Sequence, residues 1–573
     1  MPESDRVKTC ENCVRAKIRC AHTPDSLSCD RCRRLKKECY FRPSRPRGHH
    51  KKRTTRIEAL EDKIDQIMEQ INPRSDHIYP TPKSNDGSNY NNRVCDVIDK
   101  GLVSNELANI LLDNYREAMQ YFPFVMLPGR MTVKDLRTEK PFILLCIFVI
   151  TSFRDPPLQQ ALEDILKSYI GDVILHSPHD NHPNALETFQ GLLIVLSGSR
   201  QLYQLCRFSS YIHIAISIMN DARMDRPPKY RVATRIDIEG ESDQTGSASI
   251  PGSVSIADES RALIGCFLLN STHAIIMQKT CTLPWSPFIE SCAATLSAKC
   301  EYPTDRYMIY YVQLQHMLER MNLLTTKSIE GHPDVELQLQ SFRAEVEEYK
   351  NQLPIPPTCD LLIAIQYQTL ELQLCQISLL DNKHTSTPGD GFVLVSRIDT
   401  LCHGLAAAKR FVDFYFTLPP TIEKSYSILN WLQTGFIVAA ACKLVIVSLD
   451  PSLRYNVQVE ELREALQLPK VLQFYVQRLH EVAETCKDGE FAHYQKWLLA
   501  ASVWFEKTYR AASMEVSTNA GAELSVEGLD FSDSSPGQYA LPDPSIFGLD
   551  LDMTIEELMS GWMGPLRMGM DIR

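Results

Sequence analysis

At 573 residues the chain exceeds one small domain, and its 44% hydrophobic content allows a sizeable core. Its first residues, MPESDRVK, are charged and show no secretory signal, and no stretch reads as a membrane span. The net charge of −11 hides a division: residues 1–56 carry 17 Lys and Arg against 6 Asp and Glu, whereas the remainder carries 43 against 65. A basic head on an acidic body predicts a polyanion partner for the head alone.

The first motif is a set of six cysteines, Cys10, Cys13, Cys20, Cys29, Cys32 and Cys39. The spacing C-x2-C-x6-C occurs twice, the second copy offset by 19 residues. Thiolates suit zinc, which takes four tetrahedral ligands, and six ligands serve two zinc ions when two sulfurs bridge. Arg15, Lys17, Arg19, Arg33, Arg34, Lys36 and Lys37 lie between the ligands, where positive charge favours the thiolate form. A disulfide framework fits poorly with this basic setting, the spacing matches no iron–sulfur run, and two separate four-cysteine sites would need eight thiols.

This segment resembles the fungal binuclear zinc-cluster transcription factors. The likeness covers residues 10–39, including CVRAKIRC and CDRCRRLKKEC. It implies a DNA-binding domain over residues 1–40 holding two Zn²⁺ per chain. Cys10 and Cys29 would bridge both metals, Cys13 and Cys20 would complete one site, and Cys32 and Cys39 the other.

Residues Val14–Arg19 are predicted as a short helix, on which Arg15, Lys17 and Arg19 cannot share one face. The resemblance implies that a lysine three residues before the third cysteine reads a CGG triplet in the major groove. Lys17 holds that position, and guanine O6 and N7 suit it as acceptors. The preceding position, often basic in the family, is Ala16 here, which leaves the second base contact unassigned. Arg15 and Arg19 are alternatives for that contact or for phosphate. Arg33, Arg34, Lys36 and Lys37 are assigned to phosphate, which positions a protein without specifying sequence.

Residues 41–56 form a basic linker broken by Pro43, Pro46 and Gly48, and Lys51, Lys52 and Arg53 make a candidate nuclear-import patch. Next, Ile57, Leu60, Ile64, Ile67 and Ile71 recur at steps of 3, 4, 3 and 4, the seam of a short parallel coiled coil over residues 57–72. A dimer would present two clusters to two half-sites. Residues 73–99 are polar and read as a flexible linker.

From about 100 to 515 the apolar period is helical, predicting a large all-α domain. Leu107, Ile110, Leu111, Tyr115 and Met119 mark one stripe. Leu339, Phe342, Val346, Tyr349 and Leu353 mark another, and Pro419-Pro420 separates two long helices. The apolar runs Pro141–Phe153 and Trp431–Leu449 read as buried core helices, the first too short to span a bilayer and the second carrying Gln433 and Lys443. Residues 237–256 read as an inserted surface loop, and the twelve remaining cysteines as buried thiols of a reducing compartment. The stretches FPFVMLP (122–128), RALIGCFLLNSTHAI (261–275) and PWSPFIESC (284–292) resemble the family's middle homology region, which regulates activity, sometimes by sensing a small molecule. Residues 516–573 interleave acids with Phe547, Leu551, Ile555, Leu558 and Trp562, the composition of a disordered, acidic activation segment offered to coactivators. A C-terminal helix folded back on the body is the competing reading of that tail.

The class expected is therefore a mainly α, dimeric, nuclear transcription factor binding double-stranded DNA at RNA polymerase II genes, an activator of a metabolic or secondary-metabolite gene set by analogy with the family. A repressor is the alternative within that class. An enzyme or ligand-binding protein with an accessory zinc module is the alternative outside it, but residues 100–515 carry no catalytic motif. An RNA-binding head would want stacking aromatics, and Tyr40 and Phe41 are the only two there.

Overall fold

The computed structural model describes residues 9–21, 26–40, 96–176, 185–198, 207–230, 256–329, 335–352, 360–380, 391–420, 422–450, 453, 456–486 and 489–519. The chain divides into two compact units, Met1–Asn85 and Asp86–Arg573. The basic linker, the coiled-coil seam, the polar linker to residue 95, residues 237–255 of the expected surface loop and residues 520–573 of the expected activation segment lie outside the described residues. Among the described residues there is no strand, and the architecture is α throughout.

Among the described residues, the first unit contains two one-turn helices, α1 (Glu11–Arg15) and α2 (Asp30–Arg34). The second opens with α3 (Asn105–Ala118), α4 (Val133–Glu139), α5 (Pro141–Thr151), α6 (Pro156–His176), α7 (Ala185–Gly198) and α8 (Phe208–Asp221). Its middle is α9 (Ile256–Ile276), α10 (Pro287–Lys299), α11 (Met308–Ile329), α12 (Val335–Gln352) and α13 (Leu361–Leu380). It closes with α14 (Gly391–Thr417), α15 (Ile428–Val447), α16 (Val457–Leu466), α17 (Leu468–Cys486) and α18 (Gly489–Asn519).

Helices that are apolar on every face must be buried on every face. This rule selects α5, α7, α9 and α15 as the interior. Phe142 through Val149 of α5 and Phe189 through Leu196 of α7 are all buried, and the two helices pack together. They approach closely because α7 offers glycines at the contact: a Cβ on Gly191 would stand 2.5 Å from the Phe142 ring, and one on Gly198 2.8 Å from Ile150. Helix α9 touches α7, α8, α10, α11 and α15, and α15 in turn touches α13, α14, α17 and α18. Helix α15 is long and apolar enough to cross a membrane, yet 83% of its most apolar stretch is buried inside the protein. Helix α18 runs to Asn519, past the expected end of the helical body at 515.

The two sequence stripes fare differently. Leu339, Phe342 and Val346 of α12 are buried as expected, with Tyr349 half-buried. On α3 the buried face is Ala108, Leu111, Leu112 and Tyr115, while Ile110 is 56% exposed. Ala108 sets the register, because a small side chain lets the helix seat close, and Ile110 then faces roughly 200° away at 100° per residue. The cysteines also divide. Cys146, Cys266, Cys292, Cys375, Cys402 and Cys442 are buried, but Cys281 is half-buried and Cys300 is exposed.

The segments that resemble the middle homology region meet in space. Phe124 is fully buried, edge-on to Phe122 at 4.9 Å and to Tyr311 at 5.9 Å, and the Tyr115 hydroxyl donates to the Val125 carbonyl at 2.8 Å. Arg261, 1% exposed, donates Nε and Nη2 to the two carboxylate oxygens of Asp305 at 2.9 and 2.8 Å. It also donates to Asp258 and Glu301 and lies over the Tyr302 ring. This paired, buried charge fastens α9 to the turn before α11.

Candidate metal centre and nucleic-acid interface

The 19-residue sequence repeat becomes a structural repeat. Cys10 and Cys29 stand at the N-caps of α1 and α2 with nearly identical backbone angles, and Cys13 and Cys32 lie inside the helices. The halves are tied reciprocally: the Glu11 N–H donates to the Tyr40 carbonyl at 3.2 Å, and the Asp30 N–H to the Ala21 carbonyl at 3.1 Å. Each of these residues is the other pair's counterpart shifted by the repeat length, so the two halves exchange contacts about a local two-fold.

This pairing brings the sulfurs together. Cys10 Sγ lies 3.6 Å from Cys29 Sγ and 3.8 Å from Cys32 Sγ, and Cys13 Sγ lies 3.8 Å from Cys29 Sγ. The six cysteines form two tetrads, Cys10–Cys13–Cys20–Cys29 and Cys10–Cys29–Cys32–Cys39, each with all sulfurs within 4.8 Å. None of the six is in a disulfide. A tetrahedral zinc site with Zn–S of about 2.3 Å places its sulfurs about 3.8 Å apart, so the donor set and spacing fit such an ion. Either tetrad can hold a metal, and Cys10 and Cys29 belong to both.

The thiols titrate apart when crowded. Hydrogen bonding from the Cys32 N–H outweighs burial and lowers Cys29 to about 6, whereas burial and then the Cys10 sulfur push Cys13 up to about 12. Six thiolates in this volume need cationic charge among them, which is what a metal provides.

The short helices end for a reason that sequence spacing did not show. The Ile18 N–H bonds the Cys13 carbonyl at 3.2 Å and the Lys17 N–H bonds the Val14 carbonyl at 3.0 Å, the paired bonds of a Schellman stop. The second half repeats them: Lys37 to the Cys32 carbonyl and Lys36 to Arg33. The expected helix over Val14–Arg19 is therefore corrected: α1 ends at Arg15, and the chain reverses at Lys17 so that Cys20 can return to the sulfurs. Lys17 (φ 52°) and Lys36 (φ 47°) both occupy the left-handed region usually given to glycine. Such a residue costs about 1 kcal/mol or more unless its surroundings impose it.

Arg15, Lys17, Arg19, Arg33, Arg34, Lys36 and Lys37 are all exposed. Val14, Ile18 and Leu35 are exposed as well, at 59, 42 and 46%. In the first half, Arg15, Lys17 and Arg19 thus alternate with Val14, Ala16 and Ile18. At the equivalent positions the second half carries Arg33, Arg34, Lys36 and Lys37 with Leu35 and Glu38. Sequence reasoning missed Asn12, whose Nδ2 donates to the Glu38 carbonyl at 2.8 Å and reaches Cys32 Sγ at 3.7 Å. Its counterpart in the repeat is Arg31, one of several non-cysteine positions at which the two halves differ, so nothing in the sequence singled it out. Lys51, Lys52, Arg53 and the seam residues Ile57, Leu60, Ile64, Ile67 and Ile71 lie outside the described residues.

Comparison with known proteins adds a relative that shares almost the whole chain. The transcription factor himD of Aspergillus japonicus is 34% identical over 534 residues, covering 89% of this chain and 86% of its own. The chain belongs to a family of fungal transcription factors. The transcription factor opdL of Penicillium oxalicum is 24% identical over 438 residues, covering 72% of this chain and 73% of its own. No family profile matches the chain, and no solved structure matches it. Because himD aligns with 89% of this chain, the likeness takes in most of the helical body.

Proposed function

We propose that this factor is a binuclear zinc-cluster protein that binds specific double-stranded DNA in the nucleus as a dimer and activates transcription. The observation that carries the reading is the pair of cysteine tetrads sharing Cys10 and Cys29, wrapped in exposed basic side chains. Cys13 and Cys20 would complete one zinc site, and Cys32 and Cys39 the other. When bound, the two ions supply charge neutralisation and cross-linking in place of a hydrophobic core that so short a segment cannot build.

The chain's own residues divide the DNA contacts. Lys17 is exposed just beyond the end of α1, and its ammonium suits guanine O6 and N7. Val14, Ala16 and Ile18 beside it offer apolar contact to bases or sugars. Arg15 and Arg19 take phosphate or a second base. Arg33, Arg34, Lys36 and Lys37 hold phosphate and set the register. The seam over 57–72 pairs two chains, Lys51, Lys52 and Arg53 serve nuclear entry, and the acidic tail from 516 recruits coactivators.

The test is DNA selection with the full-length, zinc-loaded chain, alongside Lys17→Ala and Cys29→Ala. Paired CGG-like triplets lost in both variants are the expected result. A single triplet would remove the dimer from the reading, and zinc-bound protein with no sequence preference would remove specific recognition. Fusing residues 516–573 to a foreign DNA-binding domain tests the tail, and a silent reporter would overturn the activator reading.

A further inference from the structure

The helical body contains a cavity of about 560 Å³, open to solvent, between α10, α11 and α12. Its volume lies in the range of small-molecule sites, roughly 300–1,000 Å³. Tyr310, Gln313, Met317 and Arg320 recur at helical spacing along α11, and Glu345, Glu348 and Tyr349 do so along α12, so one stripe of each helix faces the cavity. Glu290 of α10 and Trp285, just before it, complete the wall.

The lining has a consistent chemistry. Three aromatic rings, Trp285, Tyr310 and Tyr349, stand around it, and Trp285 is stacked on His316 with centroids 4.1 Å apart. Three carboxylates, Glu290, Glu345 and Glu348, face one guanidinium, Arg320. That guanidinium is already held by both oxygens of Glu345, at 2.5 and 2.7 Å, and lies over the Phe342 ring. Burial and then Arg320 lower the pKa of His316, so the imidazole adds no positive charge. His316 Nδ1 and Tyr349 Oη have no hydrogen-bond partner, which leaves polar capacity uncommitted in the wall.

We propose that this cavity binds an organic cation, a small molecule with an ammonium group that lies among Trp285, Tyr310 and Tyr349 and is balanced by Glu290 and Glu348. Ring faces attract a cation through their quadrupoles, and the nearby carboxylates add ordinary charge attraction. An anion would meet the carboxylates with the only arginine already paired. A neutral ligand would use the rings and could at most hydrogen-bond the acids, without the charge attraction. The consequence for transcription rests on reading the body as the regulatory part of the factor, but binding itself does not.

The experiment is calorimetric titration of the full-length, zinc-loaded chain with benzyltrimethylammonium and with its neutral analogue 2,2-dimethyl-3-phenylpropan-1-ol. The cation is expected to bind at least tenfold more tightly, a difference of about 1.4 kcal/mol. Glu290→Gln with Glu348→Gln, which keeps the shape of the wall, should erase most of that preference, and Trp285→Leu should weaken the cation most. A thermal melt of each variant separates lost binding from lost folding. Equal binding of the neutral analogue, an unchanged preference in the double glutamine variant, or no heat with the cation at ~10 mM would overturn the proposal. Because DNA binding is not the readout, failure here leaves the zinc-cluster reading standing, and failure of that reading leaves the cavity testable.

Discussion

Lys17 sits in a left-handed backbone turn and is also the proposed base contact, two roles that ordinary alanine scanning would confuse. Alanine in the left-handed region keeps the strain and removes the ammonium, whereas glycine removes both. Lys17→Gly should therefore retain full zinc content and melt no lower than wild type, gaining up to about 1 kcal/mol, while specific DNA affinity falls by about 1–3 kcal/mol. Metal analysis, melting and DNA titration on one preparation check this. A variant that loses zinc would show that the side chain is structural. The shared sulfurs make a second prediction. Cys29→Ser touches both tetrads and Cys39→Ser only one, so zinc per chain should fall further in the former. Equal losses would mean that the tetrads do not act as two sites. The six cysteines that the fold gathers into two tetrads were legible from spacing alone. Lys17 was legible as a candidate contact, but its turn was not, because the reversal follows from sulfurs that must converge in space.

Among elements, the contacts that hold α9 are sensitive to substitution. A methyl on Gly265 would lie 2.5 Å from Phe124 Cβ, close to the backbone of a buried segment that cannot swing aside. Gly265→Ala should cost about 1–3 kcal/mol, read in denaturant melts followed by tryptophan fluorescence. Arg261→Met leaves Asp305, itself fully buried, without its partner and should cost about 3–5 kcal/mol. A loss below about 1 kcal/mol would mean that the clamp does not fasten α9 to the turn. Sequence placed RALIGCFLL in a helical body and in the stretch that resembles the middle homology region. It did not show the clamp, since Asp305 lies 44 residues along the chain and nothing local distinguishes a buried arginine from an exposed one.

For the molecule as a whole, pH acts on the body through His273. The ring is 4% exposed, lies 4.7 Å from Phe208 and meets Ser209 Oγ at 3.1 Å. Burial, then Lys279, lowers its pKa from 6.5 to about 3. Above 6.5 the folded and unfolded chains both hold it neutral. Below that, the unfolded chain takes a proton that the folded one refuses until about 3, so stability falls across this window, by about 2 kcal/mol at pH 5. His273→Gln should lose correspondingly less between pH 7.5 and pH 5. Tryptophan fluorescence excludes the head and reports mainly on the body, since Trp285, Trp431, Trp497 and Trp504 lie in it and Trp562 in the tail. Identical pH dependence in the two proteins would remove His273 from the account.

What the sequence by itself determined was whatever depends on short spacing or on period. The cysteine repeat marked a metal-competent head, the helical period an all-α body, and two long apolar runs became the buried helices α5 and α15. These follow from local rules, since ligand spacing and amphipathic period are properties of neighbouring residues. Tertiary structure alone decided which apolar side chains face inward, as with Ala108 over Ile110, where α1 stops, how Arg261 is paired, and that stripes of α11 and α12 enclose an aromatic, acidic cavity. Each of these depends on which distant segments are pressed together, and that is set by the packing of the whole core rather than by any window of the chain.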